Sequence, residues 1–239
     1  MKFMKPNRSV LALLLAAVML LIMTACGNKE PDPTEPEQTT TRGDVPTAGN
    51  NQTAFLGNNL YITDVGDYTG IYMEDGADEF VSDVLMIILK NEGDTDLQLA
   101  RIKLEYADFT ANFEATNLPA GESVVLLEKN RHAYVNESFF SAAAENVAFF
   151  REPMSLREDQ LKLTGSDGAI TVENLTDQPL GELYIYYKNS ASDLYYGGIT
   201  YRARVNAGLK PGESNTIATK HYHPKSCTIL DVQIMPVEE

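Results

Sequence analysis

The sequence predicts an all-β protein in which two antiparallel β-sandwiches, residues 54–150 and 151–239, follow one another along the chain. Three observations carry this expectation. Apolar and polar residues alternate over short runs, turn-forming residues punctuate those runs at close intervals, and the second half repeats landmarks of the first. Together the two halves hold about 185 residues, enough for real hydrophobic cores.

Val84 to Leu89 is apolar throughout, which suits a strand covered on both faces. From Leu99 to Tyr106 the pattern changes: Ile102, Leu104 and Tyr106 share one face and Arg101, Lys103 and Glu105 the other, the period of two expected of a half-buried strand. Further on, Leu183, Ile185 and Tyr187 alternate with Tyr184 and Tyr186. Tyr201, Ala203 and Val205 alternate with Arg202 and Arg204, and Leu230, Val232 and Ile234 with Asp231 and Gln233. Turn formers separate these runs, at Asn91-Glu92-Gly93-Asp94, Pro119-Ala120-Gly121, Asp167-Gly168, Gly197-Gly198 and Pro211-Gly212. One stretch, Asn136 to Phe150, is ambiguous: Ser138 or Ser141 offers a cap for a short helix through Ala142 to Glu145.

Asn91, Asp94, Leu97 and Ile102 recur 83 residues later as Asn174, Asp177, Leu180 and Ile185. Leu118, Gly121, Glu122, Ser123 and Lys129 recur 91 residues later as Leu209, Gly212, Glu213, Ser214 and Lys220, so the second copy is eight residues longer in between. The extra length falls around Asn189 to Gly198. An Asn-x-x-Asp turn, an alternating strand and a late Gly-Glu-Ser turn resemble the immunoglobulin-like modules repeated in bacterial surface lipoproteins. That resemblance implies an architecture and no particular activity.

The amino-terminal segment points outside the cell. Lys2, Lys5 and Arg8 precede an apolar run from Val10 to Met23, too short for a spanning helix but matched to the core of an export signal. Met23-Thr24-Ala25-Cys26 resembles the lipobox of bacterial lipoproteins, with Met23 where Leu is usual. The resemblance implies that residues 1–25 are a signal peptide and that Cys26 becomes a lipidated amino terminus, an acylated anchor in the membrane. Residues 26–53 hold four prolines and almost no large apolar side chain, so they read as a disordered tether. Within it Arg42-Gly43-Asp44 resembles an integrin-recognition tripeptide, a match too short to carry weight.

Removing residues 1–25 takes away three basic groups and leaves 16 Lys and Arg against 34 Asp and Glu, a net charge of −18. Such a chain repels nucleic acid at long range, so no nucleic-acid partner is expected. Cys227 would be the one thiol left after lipidation, which excludes an intramolecular disulfide.

The sequence contains no Gly-x-Ser-x-Gly elbow, no His-Glu-x-x-His helix, no CxxC pair and no phosphate-binding glycine loop. No catalytic residue and no cofactor is therefore expected, an unrecognised envelope enzyme being an alternative. His221 and His223, two apart on one strand face and near Cys227, offer a metal-binding alternative; exposed histidines and a buried structural thiol are the competing reading. His132 is the repeat counterpart of His223. Acidic segments at Asp64–Glu79 and Asn91–Asp96 suit calcium, yet they lack EF-hand spacing and use the residues any turn prefers.

The candidate ligand-binding residues are Tyr184, Tyr186, Arg202 and Arg204. With Leu183, Ile185 and Tyr187 inward, Tyr184 and Tyr186 stand outward about 7 Å apart, and a hairpin with the next strand brings Arg202 and Arg204 to the same face. Their counterparts in the first copy, Arg101 and Lys103, are ordinary solvated cations. Tyr195 and Tyr196 would crown the longer connecting loop. Such a face fits a protein or glycan ligand, and packing against the first half is the competing reading. The expected protein is a non-catalytic binding or structural module, extracytoplasmic and lipid-anchored to the cell membrane.

Overall fold

The structure, a computed structural model, describes residues 52–236, and every regular element in them is a β-strand. The leader, Cys26, the Arg42-Gly43-Asp44 tripeptide and nearly all of the expected tether lie outside these residues. The first half contains β1 (Ala54–Gly57), β2 (Leu60–Ile71), β3 (Phe80–Asn91), β4 (Leu97–Glu105), β5 (Thr110–Leu118), β6 (Ser123–Leu127) and β7 (Ser141–Phe149). The second contains β8 (Leu161–Ser166), β9 (Ala169–Asn174), β10 (Leu183–Ala191), β11 (Leu194–Val205), β12 (Ser214–Ala218) and β13 (Cys227–Ile234).

The repeat is present in three dimensions. In the first half, β1-β2-β3-β6 faces β5-β4-β7; in the second, β8-β9-β12 faces β10, β13 and the carboxyl half of β11. Each half has its own core, built from Ile62, Leu85, Ile87, Ile102, Leu104 and Phe113 in one and from Leu161, Val172, Ile185, Ala203 and Val232 in the other.

The two repeated asparagines do the same work in both halves. Asn91 and Asn174 are fully buried. The Asn91 Nδ2 donates to Thr95 O at 3.0 Å and to Leu118 O at 3.4 Å, and its Oδ1 accepts from Gly93 N–H. The Asn174 Nδ2 donates to Gln178 O at 2.8 Å and to Leu209 O at 2.9 Å, and its Oδ1 accepts from Thr176 N–H. The main chain repeats as well: Asn91 N–H bonds Glu122 O and Gly121 N–H bonds Asn91 O, as Asn174 N–H bonds Glu213 O and Gly212 N–H bonds Asn174 O. A buried amide that satisfies several backbone groups at once pins the turn after one strand to the turn before another, which is why these residues recur together.

The halves are joined within a sheet. The amino-terminal part of β11 pairs in parallel with β6, placing Tyr195 opposite Val124 and Tyr196 opposite Val125. This makes a continuous seven-stranded sheet, β1-β2-β3-β6-β11-β10-β13. The part of β11 that makes the joint belongs to the segment by which the second copy is longer. That insert is therefore no exposed loop: Tyr196 is buried with Tyr68, Tyr72, Met86, Val125 and Leu127, and Tyr195 packs on the first core. The same cluster covers the outer face of β3 at Val84 and Met86 while Leu85, Ile87 and Leu89 face the first core, so this apolar strand is covered on both sides.

Two local expectations are corrected. The alanine-rich stretch expected to hold a short helix is β7, paired along β4, with Ala142 and Ala144 on the first core. Tertiary pairing overrides the helical preference of alanine there. Asn146, at φ 50°, falls where the β4–β7 register shifts between Leu99 and Arg101. In β13, the register shifts between Tyr186 and Tyr187, which are opposite Asp231 and Ile229, so Leu230 is an extra residue and does not share the inner face with Val232. Cys227, Ile229, Val232 and Ile234 form that face instead.

Candidate functional site

The four residues Tyr184, Tyr186, Arg202 and Arg204 meet on one face. β10 and β11 pair antiparallel with Tyr184 opposite Arg204 and Tyr186 opposite Arg202. Because Leu183, Ile185 and Tyr187 are buried in the second core, period two turns Tyr184 and Tyr186 to the other side, and Ala203 and Val205 do the same for the arginines. Both arginines are exposed and both tyrosines are half-buried. On the far side of β10, Gln233 lies opposite Tyr184 and Asp231 opposite Tyr186.

The contacts on this face are of two kinds. Arg204 is committed to an ion pair with Glu182. The Glu182 carboxyl is held below its ordinary range by the hydrogen bond from the Tyr184 hydroxyl, then by Arg204, and the same bond raises the Tyr184 phenol. Tyr186 donates its hydroxyl to Gln233 Oε1 at 3.3 Å, and Gln233 Nε2 donates to Asp231 Oδ2 at 3.2 Å. Asp231 is anchored from behind, its Oδ1 accepting from Ser155 N–H at 2.9 Å. Arg202 differs. Its guanidinium carbon lies 4.8 Å from the centroid of the Tyr184 ring, it adds to the pull of Arg204 on the Glu182 carboxyl, and among the described residues it makes no ion pair within 4.0 Å. A guanidinium held over an aromatic face keeps the N–H donors at its own edge available to an acceptor from solution.

The remaining candidates resolve differently. His221 stacks on Tyr201 at 4.6 Å between ring centroids and turns Nδ1 to Asp78 at 3.3 Å, beside the Lys220–Asp78 ion pair of 2.9 Å. His223 faces Asp167 at 3.7 Å, and the Cys227 thiol donates to Asn189 Oδ1 and His221 O. The two imidazoles thus have separate partners, and no group of three potential metal ligands gathers among the described residues. His132 packs against the Phe109 ring edge, 3.6 Å from the buried Glu128 carboxylate. Of the acidic groups, Asp75 and Glu79 clasp Arg131, and Asp96 accepts from Ala120 N–H and Met154 N–H, so these carboxylates organise loops.

A charged junction that no sequence motif marks gathers Lys188 and Glu74. Lys188, on β10, is 1% exposed and donates to Gly197 O, Gly198 O and Ile199 O at 2.7–3.0 Å. Glu74, from the β2–β3 connection of the first half, accepts from Leu127 N–H at 2.8 Å and from Gly198 N–H at 2.7 Å. Burial pushes the Glu74 carboxyl up to about 7, against the pull of those amides and of Lys188, and burial pulls the Lys188 ammonium down to about 7 against the attraction of Glu74. Thr116 on β5 adds a bond to Gly198 O at 2.7 Å and shares 2.9 Å with Thr200. Everything converges on Gly197-Gly198 within the insert; a lysine beside an apolar strand and a glycine pair ten residues on were the available signals.

No protein-family model matches the chain, and no curated protein matches it.

Proposed function

We propose that this protein is a non-catalytic binding module, held outside the cell by lipid on Cys26 and spaced from the membrane by residues 26–53, which recognises an anionic partner group through Arg202 and the Tyr184 ring. The observation that carries the reading is the exposed Arg202 guanidinium lying over Tyr184 without a direct ion pair among the described residues, next to an Arg204 held by Glu182. A rigid aromatic surface with one free bidentate donor suits a carboxylate-bearing sugar or an acidic side chain of a protein, with Tyr186 and Gln233 extending the polar rim. Two similar sandwiches in tandem favour reading the halves as immunoglobulin-like modules, in which loops and sheet faces bind and no reactive centre is needed.

The test uses two probes, a uronic-acid oligosaccharide and an acidic peptide, titrated against the full-length chain in lipid nanodiscs. Either should bind with an affinity that falls about tenfold for Arg202→Ala and for Tyr184→Ser, loss of roughly one charge-assisted contact. The melting temperature of both variants should stay within a few degrees of wild type, because the substituted groups reach solvent. Equal affinity of the variants and the wild type for both probes refutes the assignment of this face.

The anchoring half of the proposal stands or falls separately. Cys26→Ala should move the protein from the membrane pellet to the soluble exported fraction, since the lipid has no thiol to occupy. Retention in the pellet would show that another element holds it there.

A further inference from the structure

The internal repeat exposes an edge in the second half that the first half keeps covered. Leu60 pairs with Asn91 and Ile62 with Leu89, as Leu161 pairs with Asn174 and Leu163 with Val172, so β2 and β8 are equivalent strands, each holding the same register to one of the repeated asparagines. In the first half the outer edge of β2 carries β1, with Ala54 opposite Ile62 and Gly57 opposite Leu60, and Ala54 and Leu56 packed on the core. Among the described residues β8 has no such neighbour: it ends its sheet, whose order is β12-β9-β8.

The segment before β8 does not take the place of β1. It bonds to the opposite sheet instead, through Ser155 O to Val232 N–H at 2.8 Å and Ser155 N–H to Asp231 Oδ1, and then turns into β8 with Leu161 N–H on Arg157 O. A groove of about 540 Å³ is left between β8 and β13; Leu161, Leu163, Leu175 and Ile229 are in its wall, and so are Glu158 and Lys162. Leu163 is half-buried where its counterpart Ile62 is fully buried, and Leu175 remains 49% exposed.

The backbone of this edge is free as well. The two-residue turn Asp167-Gly168 closes the β8–β9 hairpin at Ser166 and Ala169, so Ser166, Thr164 and Lys162 direct their peptide groups to β9. Leu163 and Gly165 direct theirs outward, and among the described residues no backbone group meets them on that side. Gly165 has no side chain in the way: a Cβ there would overlap the Tyr222 hydroxyl that fills the groove floor.

We infer that β8 is a strand-addition site. It takes an extended segment of a partner protein that carries small or aliphatic residues at two alternate positions, the chemistry β1 supplies to the equivalent edge of the first half. Its main chain bonds Leu163 and Gly165 while its alternate side chains enter the leucine-lined groove. This surface is separate from the Tyr184 face, and neither assignment depends on the other.

The probe is the synthetic heptapeptide of residues 52–58, which contains β1, added to the full-length chain in nanodiscs. Hydrogen exchange at the Leu163 and Gly165 amides should slow by about tenfold at millimolar peptide, with exchange in β2 unchanged. The same peptide N-methylated on alternate amides should give no protection, because the side chains are kept and the pairing groups lost. Leu163→Lys, an inward charge on an edge strand, should abolish protection with the fold intact by circular dichroism. Absence of protection with the unmodified peptide overturns the inference, as does equal protection by the methylated one. Self-association of the chain that slows the same two amides without peptide would assign the edge to a second copy, and overturns it too.

Discussion

Lys188→Met should lower the unfolding free energy by roughly 1–3 kcal/mol, the penalty of leaving buried backbone carbonyls without their donor, together with the lost attraction to the half-buried Glu74. The variant leaves the half-buried Glu74 carboxyl without the nearby cation and leaves the carbonyls of Gly197, Gly198 and Ile199 without the donor that served all three. Replacing Glu74 by Gln and Lys188 by Met together should cost less than Lys188→Met alone, since no unpaired charge remains. Chemical denaturation followed by fluorescence measures both.

The pH dependence of the variant has a definite sign. Glu74 has a folded pKa pushed up to about 7, above its ordinary 4.5, so its stabilising contribution is full below the unfolded value and is lost as pH rises through about 7. Lys188 acts in the opposite direction, its folded pKa drawn down to about 7, so the contribution is present above its ordinary 10.5 and lost as pH falls toward neutrality. In Lys188→Met the second slope is gone and the push on Glu74 grows. The variant should therefore be more stable at pH 5 than at pH 8, and a denaturation midpoint that rises from pH 5 to pH 8 contradicts this account of the junction.

Gly198→Ala is the second large effect. A Cβ at this position would overlap the Glu114 carbonyl oxygen and lie 2.9 Å from Glu74 Oε2, so β5 and the β2–β3 connection would have to withdraw from β11. Backbone cannot yield as a flexible side chain does, which puts the loss at the upper end of the roughly 1–3 kcal/mol seen for overpacking, and the melting temperature should fall by about 6–12 °C. Gly121→Ala supplies the contrast. Gly121 has φ 77° but open space around its Cα, so alanine there meets only the backbone penalty of about 1–2 kcal/mol and leaves the junction untouched. If Gly121→Ala proved the more damaging of the two, close approach at Gly198 would not be what fixes the halves together.

The strands, their inward faces and the repeat were legible because each rests on a local rule. Alternation places Ile102, Leu104, Ile185 and Ala203 inward wherever the strand pairs, and it placed Tyr184, Tyr186, Arg202 and Arg204 together on the opposite face. What alternation does not tell is whether a residue turned away from its own core meets water or another layer. Tyr195 and Tyr196 are the case in point: as a loop they would be exposed, and in the structure they are a strand against β6. The joint is parallel and links residues distant in sequence, so no turn signal announces it. Asn91 and Asn174 were visible as turn residues, but the buried amide network that explains their recurrence depends on Leu118 and Leu209, whose carbonyls arrive from 27 and 35 residues further along the chain. Bulges at Asn146 and Leu230 shift register by one residue, which is enough to move a side chain from one face to the other.

The parallel seam between β6 and β11 also sets a timetable. Val124 and Val125 leave the ribosome about seventy residues ahead of Tyr195 and Tyr196, an interval of roughly 4–14 s at ordinary elongation rates. Throughout it the nascent first half presents Ser123–Leu127, an apolar stretch with one side unpaired, to whatever else is nearby. A chain of this design gains from an escort during those seconds, and a copy released by early termination before residue 194 would be born sticky.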